Sequence, residues 1–242
     1  MKVLPFVLLI AACGSSNSNP AGGDAPNQQD GRVFLDAPPN VPAMITIGGA
    51  AYDSGQNSST PLAGVAVSLK SRADDSTLAS TTSDAQGKYS MSVSTGGHVV
   101  DAYILATKSG YVDAAAFPAA PFAADNAMAD SNMVTTGNFN LLTLYTGQQT
   151  SNGIIIAEIL DATSMPVAGA TVSGSPAAGS YLYSDDNGTP ASRPSTNTDG
   201  TSFLVNVPPG SIEISATKDG ATFKSHSVTA KANTFTSTVI TE

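Results

Sequence analysis

The sequence predicts an all-β protein of two tandem β-sandwiches, and three observations carry that prediction. The chain is 41% hydrophobic but only 12% charged, with Ser, Thr, Asn and Ala abundant and Gly frequent. Such Thr- and Val-rich, Gly-punctuated composition favours strands with hydroxyl and amide faces toward water. Several segments alternate apolar and polar residues with period two, as strands buried on one face do. Three blocks also recur in the same order about 105 to 115 residues apart, so the chain holds two copies of a unit of about 90 to 100 residues.

The first twelve residues read as a signal peptide. Lys2 gives a positive start, Val3 to Ile10 is apolar apart from Pro5, and Ala11 and Ala12 are small. The run is far short of the roughly 20 residues that a membrane-spanning helix needs. A core strand is the competing reading, but Ala-Ala-Cys followed by Gly-Ser-Ser-Asn continues a strand poorly. Residues 13–43 read as a flexible linker. They are rich in Gly, Ser, Asn, Asp, Gln and Pro, interrupted chiefly by Val33, Phe34, Leu35 and Val41, too few apolar groups to offset ordering entropy.

In the first repeat, 44–146, "PLAGVAVS" (Pro61 to Ser68) is a turn followed by Val65, Val67 and Leu69 on one strand face. Asp84-Ala85-Gln86-Gly87 reads as a four-residue hairpin connection, with Gly87 taking a positive φ before Tyr89, Met91 and Val93 alternate. "ATKSGY" (Ala106 to Tyr111) ends a strand. In the second repeat, 151–242, the matching blocks are "PVAGATVS", "NTDGTSFLVNV" and "ATKDGA". Its hairpin reads as a shorter, two-residue Asp199-Gly200 turn. Two segments exceed the minimal unit: 112–134, an Ala-rich insertion whose Pro118 and Pro121 limit any helix, and a long loop around residues 174–196.

Together these blocks resemble the carboxypeptidase regulatory-like domain, a transthyretin-like (prealbumin-like) sandwich with Ig-like, Greek-key connections. The family pattern is a Pro-x-x-Gly turn, a Thr-x-Asp-x-x-Gly-x-Tyr/Phe hairpin and an Ala-x-Lys-x-Gly strand end. The first repeat carries it at Pro61, Gly64, Asp84, Gly87, Tyr89, Ala106, Lys108 and Gly110. The resemblance implies a domain that performs no chemistry of its own, appended in bacterial surface proteins to receptors and glycan-active proteins, sometimes with carbohydrate binding. Ile10-Ala11-Ala12-Cys13 resembles the lipobox of bacterial lipoproteins, and Cys13 is the only cysteine. That resemblance implies cleavage before Cys13, acylation of it, and anchoring in the cell envelope. Gly14 implies the outer membrane by the family's sorting rule, with the periplasmic or surface face left open.

A net charge of −9 and a pI near 4.4 argue against nucleic acid or an anionic lipid surface as an electrostatic partner. No catalytic centre assembles from the sequence, so a non-enzymatic protein without cofactor or metal is expected. His98 and Asp101 have the spacing of a His-x-x-acid metal pair, but i and i+3 point to opposite faces of a strand. Ser215 and Lys218 match Ser-x-x-Lys, which needs a helical turn and instead lies in strand sequence. Binding is the expectation that survives. Tyr181 and Tyr183 share a strand face, with Asp185, Asp186 and Asn187 directly after, an arrangement suited to stacking and hydrogen-bonding a sugar. The competing reading is that these rings cover the sandwich edge and the acids end a strand. Asp185, Asn187 and Gly188 are also possible oxygen ligands for Ca²⁺, though a full calcium loop is missing. Phe117 and Phe122 read either as a partner-docking knob or as plugs for the domain's own edge. The alternative function is an assembly protein that docks other envelope proteins through a strand edge or the 112–134 insertion.

Overall fold

The computed structural model describes residues 40–55 and 60–242. Cys13, the expected signal peptide and nearly all of the expected linker lie outside the described residues. The first repeat contributes β1 (Met44–Asp53), β2 (Thr60–Pro61), β3 (Ala66–Ser71), β4 (Thr77–Thr82), β5 (Lys88–Ser94), β6 (Ala102–Thr107), β7 (Asp113–Phe117) and β8 (Ser131–Met133). A helix, α1 (Thr136–Thr146), leads into the second repeat. There follow β9 (Gly153–Leu160), β10 (Thr171–Ser175), β11 (Ser180–Ser184), β12 (Pro190–Ala191), β13 (Thr201–Val207), β14 (Gly210–Lys218), β15 (Ala221–Thr222), β16 (His226–Ala230) and β17 (Thr234–Thr241).

The protein is an all-β sandwich structure, and the pairing repeats. β1 pairs antiparallel with β5 and parallel with β8; β9 pairs antiparallel with β13 and parallel with β17. β6 lies between β3 and β7, as β14 lies between β10 and β16. Alternation along β5 buries Tyr89, Met91 and Val93 and exposes the residues between them. These side chains meet Val65, Val67 and Leu69 in the core of the first repeat. Burial of each such side chain contributes about 1.5–3 kcal/mol.

The backbones of the two turns match closely. Gly87 and Gly200 have φ of 74° and 66°. A Cβ on Gly87 would sit 2.6 Å from the Ala51 carbonyl oxygen, and one on Gly200 2.6 Å from that of Ile159. The Gly87 amide bonds the Asp84 carbonyl, and the Gly200 amide the Asn197 carbonyl, each at 3.0 Å. Neither turn closes the hairpin that its sequence suggests: β4 pairs with β3 and β5 with β1, so Asp84–Gly87 carries the chain from one sheet to the other. The second turn is also not the shortened two-residue form; it spans Asn197 to Gly200, the equivalent four residues, and β12 and β13 on either side of it are not paired with each other. Asp199 is engaged sideways, accepting from the Ser184 hydroxyl and the Thr201 amide. Just before each turn, the hydroxyl of Ser83 or Thr196 donates to a carbonyl (Leu62 or Val167) and accepts an amide (Val65 or Ala170).

Two features break the symmetry. β4 pairs with β3, but its counterpart β11 crosses to the other sheet and pairs with β13. The C-terminal β17 also pairs parallel with β7 as well as with β9. One sheet of each repeat thus joins its neighbour edge to edge in a nine-stranded sheet, β12-β11-β13-β9-β17-β7-β6-β3-β4. Central strands of such a sheet need cover on both faces. β9, "GIIIAEIL", is buried at every position. The second repeat's core covers one face of it, and Phe139 of α1 joins Ile154, Ile156, Phe203 and Phe235 over the other.

The matched glycine turns give matched consequences. Gly87→Ala and Gly200→Ala each force a Cβ against a carbonyl at positive φ, and each is expected to cost about 1–3 kcal/mol. Urea unfolding of the two variants should give losses within about 0.5 kcal/mol of each other. Unequal losses would contradict the equivalence of the two turns.

Candidate functional site

Tyr181 and Tyr183 do share a strand face, but that face looks inward. Tyr183 is buried, at 4% exposure, in the core of the second repeat, and Tyr181 packs partly buried against the same cluster. The Tyr183 hydroxyl accepts from the Val172 amide at 3.1 Å. The Tyr181 hydroxyl accepts from the Gly174 and Ala178 amides, also at 3.1 Å. Val172 and Gly174 lie on β10, the strand that β11 would flank if the second repeat followed the first. The two hydroxyls supply acceptors to amides that β11 left when it crossed to the other sheet, where buried donors would otherwise go unpaired. The sugar-stacking face expected from their spacing is therefore not formed.

The residues after β11 build a turn. The Asp185 carboxylate accepts from the Asn187 amide at 2.8 Å and the Thr189 amide at 2.9 Å. Those backbone bonds, Thr189 first, hold it below the ordinary carboxylate range. Asp186 accepts from Asn197 Nδ2 at 2.9 Å and lies 3.7 Å from Arg193. Among the described residues no group of three His, Cys, Asp or Glu side chains gathers to hold a metal. His98 sits in a turn, with its amide bonded to the Thr95 carbonyl, while Asp101 is 3.3 Å from Arg72. Ser215 faces the Ser173 hydroxyl across a β10–β14 ladder, so Ser215 and Lys218 are on a strand, as expected.

Not all of the 112–134 segment is an insertion: it begins in β7 and ends in β8, core strands with counterparts in the second repeat. Residues 118–130 between them run back as a strap that closes the free edge of β1. The Asn126 carbonyl accepts the Gly48 amide at 2.6 Å, and the carboxylates of Asp125 and Asp130 accept the amides of Thr46 and Ala50. Gly49 lets the strap come close: a Cβ there would lie 2.6 Å from the Ala129 backbone. Phe117 and Phe122 both face inward, at 1% and 5% exposure. Between the strap and the outer faces of β1 and β5 lies a groove of about 680 Å³. The small residues Gly48, Ala50 and Ser90 line it, and Tyr52, Lys88 and Asp130 border it. Burial raises Asp130 above the usual carboxylate range, against the bond from Ala50.

A third cluster sits where the repeats join. Tyr103 and Phe117 stack with centroids 4.5 Å apart, and Arg72 lies 5.2 Å from the Phe117 ring. Lys231, from the second repeat, donates to both Asp75 carboxylate oxygens at 3.0 and 2.9 Å and to the Tyr103 hydroxyl at 2.7 Å. Tyr103 donates to Asp75 in turn. Arg72 reaches the Ser227 carbonyl at 3.3 Å. Beside them, His226 Nε2 is 2.7 Å from the Thr238 hydroxyl. Burial, and then the Arg72 charge, push His226 down to about 4. Nothing in the sequence marked this junction, because its partners come from distant parts of both repeats.

No family model matches the chain, and no curated protein matches it in sequence. Similar solved structures include the TIE protein of Bacillus anthracis, 11% identical over 81% of this chain and 33% of that one, with a TM-score of 0.29. The chain thus spans about a third of the TIE protein's length. The shaft pilin SpaA of Lactobacillus rhamnosus GG is 13% identical over 82% of this chain and 97% of that one, at 0.25. The 3-chlorocatechol 1,2-dioxygenase of Rhodococcus opacus is 10% identical over 43% and 63%, at 0.28. At these identities and TM-scores the likenesses assign no function.

The depressed His226 gives a pH dependence. As pH falls from 6.5, the unfolded chain takes up the proton before the folded one, so stability drops until about pH 4 and the loss then levels off. Asp130, raised by burial, acts in the opposite sense. His226→Gln should flatten the fall in unfolding midpoint between pH 6.5 and 4, measured by thermal denaturation. An unchanged pH profile in the variant would contradict the assignment.

Proposed function

We propose that this chain is a lipid-anchored lipoprotein of the bacterial cell envelope, held through Cys13, whose two transthyretin-like sandwiches form one non-catalytic docking body. The observation behind the docking reading is the contrast between the two ends of the nine-stranded sheet. At one end β12 is two residues long and contains Pro190, which discourages further pairing. At the other, β4 reads Thr-Leu-Ala-Ser-Thr-Thr, with neither charge nor proline, and Leu78 is 43% exposed. An unblunted edge of this kind is a template for strand addition by another protein. The nine-stranded sheet makes the body stiff, and a lipid at Cys13 would hold it at the membrane. Among the described residues no helix is long and apolar enough to cross a membrane.

Two measurements check this reading. Intact mass of native material should show a diacylated or triacylated chain beginning at Cys13, and Cys13→Ala should abolish fractionation with membranes. A photo-crosslinker at Leu78 in intact cells should yield a discrete adduct with another envelope protein, lost when Ser80→Pro blocks the edge. A smear or no adduct would count against the edge as a docking site.

A second reading, carbohydrate binding, is favoured by the 680 Å³ groove in the first repeat. Its small-residue floor, Tyr52 ring and flanking Lys88 and Asp130 suit a hydroxyl-rich chain better than the Tyr181–Asn187 segment does. Binding on a glycan array that Tyr52→Ala weakens about tenfold or more would support the groove. Binding unaffected by that change would remove it.

A further inference from the structure

α1 is apolar on two sides. Its inner side places Phe139 and Leu142 against the nine-stranded sheet. Its outer side carries Leu141, Leu144 and Tyr145, which are 61%, 82% and 65% exposed. At i, i+3 and i+4 these three side chains form one continuous patch. The helix does not need a cover to form. Thr135 caps its N-terminus by accepting the Asn138 amide, and Gly147 closes its C-terminus in the left-handed conformation. The outer apolar triplet is therefore unexplained by folding.

Three observations bear on what could cover it. The patch exposes on the order of 400 Å², so two copies packed face to face would bury about 800 Å², the scale of casual contacts rather than stable dimers. No charged residue occurs between Asp130 and Glu158. A chain of net charge −9 thus presents an uncharged segment here, one that anionic headgroups do not repel. Reach also allows it. α1 begins beside the C-terminal end of β1, where Gly55 abuts Asn138. The chain leads into β1 at the opposite end, about 33 Å away for a ten-residue strand. The 27 residues from Cys13 to Asn40 span at most about 90 Å.

We propose that the Leu141–Leu144–Tyr145 face of α1 rests on the lipid bilayer in which Cys13 is anchored, so that the body lies along the membrane. This rests on the lipoprotein reading above and adds an orientation to it. Three apolar side chains without a basic rim bind a bilayer weakly by themselves, and a covalent anchor supplies the second signal that makes the contact persistent. Tyr145 suits the interfacial depth, with an apolar ring and a polar tip.

The test uses the full native acylated chain in vesicles of phosphatidylethanolamine and phosphatidylglycerol. A bimane probe is placed by Leu144→Cys, by Leu141→Cys, or by Ser80→Cys on β4 as control. All three sites are on the surface, so the fold is retained. The expected result is quenching by doxyl-labelled lipid at least about threefold greater at 144 and 141 than at 80. Equal quenching at all three sites overturns the helix contact. A blue-shifted probe at 144 that doxyl lipid does not quench also overturns it, in favour of a protein cover. Intact mass of the same sample reads acylation separately. An acylated chain with an unquenched probe leaves the anchor standing without the helix contact, whereas an unacylated chain overturns both.

Discussion

A strand inside a sheet must satisfy its backbone on both edges and bury both faces, and β17 does so by standing between the two repeats. Its ladder with β9 runs from Phe235 to Thr241, and its ladder with β7 from Thr234 to Thr238. Both are parallel, so neither can be closed by a short hairpin; each depends on chain that has already folded elsewhere. Every residue of β17 except the last is buried. The Thr238 hydroxyl bonds the Phe117 carbonyl, fixing the two repeats together where the aromatic stack begins. Pulling the sandwiches apart would expose an edge of β7 and strip β17 of half its partners. The Lys231, Asp75 and Tyr103 cluster then adds charge-assisted bonds across the same seam.

Much of this fold was legible in the sequence because it depends on local rules. Period-two alternation at Tyr89, Met91 and Val93 reports a one-sided strand whatever surrounds it. A glycine forced to positive φ marks a turn, and repeated blocks mark a repeated unit. What escaped prediction depends on distant partners. β17 reads Thr-Phe-Thr-Ser-Thr-Val-Ile-Thr, rich in hydroxyl side chains that usually face water, yet its neighbours cover both faces. α1 lies in "TTGNFNLLTLYTGQQ", whose apolar residues show no single stripe, because one side packs on the sheet and the other does not. The two turns misled because Asp-Gly and Asp-x-x-Gly before an alternating run are hairpin signals, while here each turn passes the chain between strands that do not pair with each other.

The candidate site was less legible, for a related reason. The spacing of Tyr181 and Tyr183 correctly placed both rings on one face, but spacing cannot say which face is inside. The decisive fact is that β11 changes sheets, which turns two apparent sugar platforms into hydrogen-bond acceptors for the edge of β10. The groove beside β1 was invisible because it is made by the strap, whose Asp125 and Asp130 approach only after an irregular return. Surface features with no such internal duty, the β4 edge and the outer face of α1, are left as the places where this body can meet something else.

The account stands on the two repeats unfolding as one. Differential scanning calorimetry of the chain tests this directly, since coupled sandwiches melt together and independent ones do not. A single transition whose calorimetric and van't Hoff enthalpies agree is the predicted result. Two resolved transitions, or a calorimetric enthalpy about twice the van't Hoff value, would contradict it.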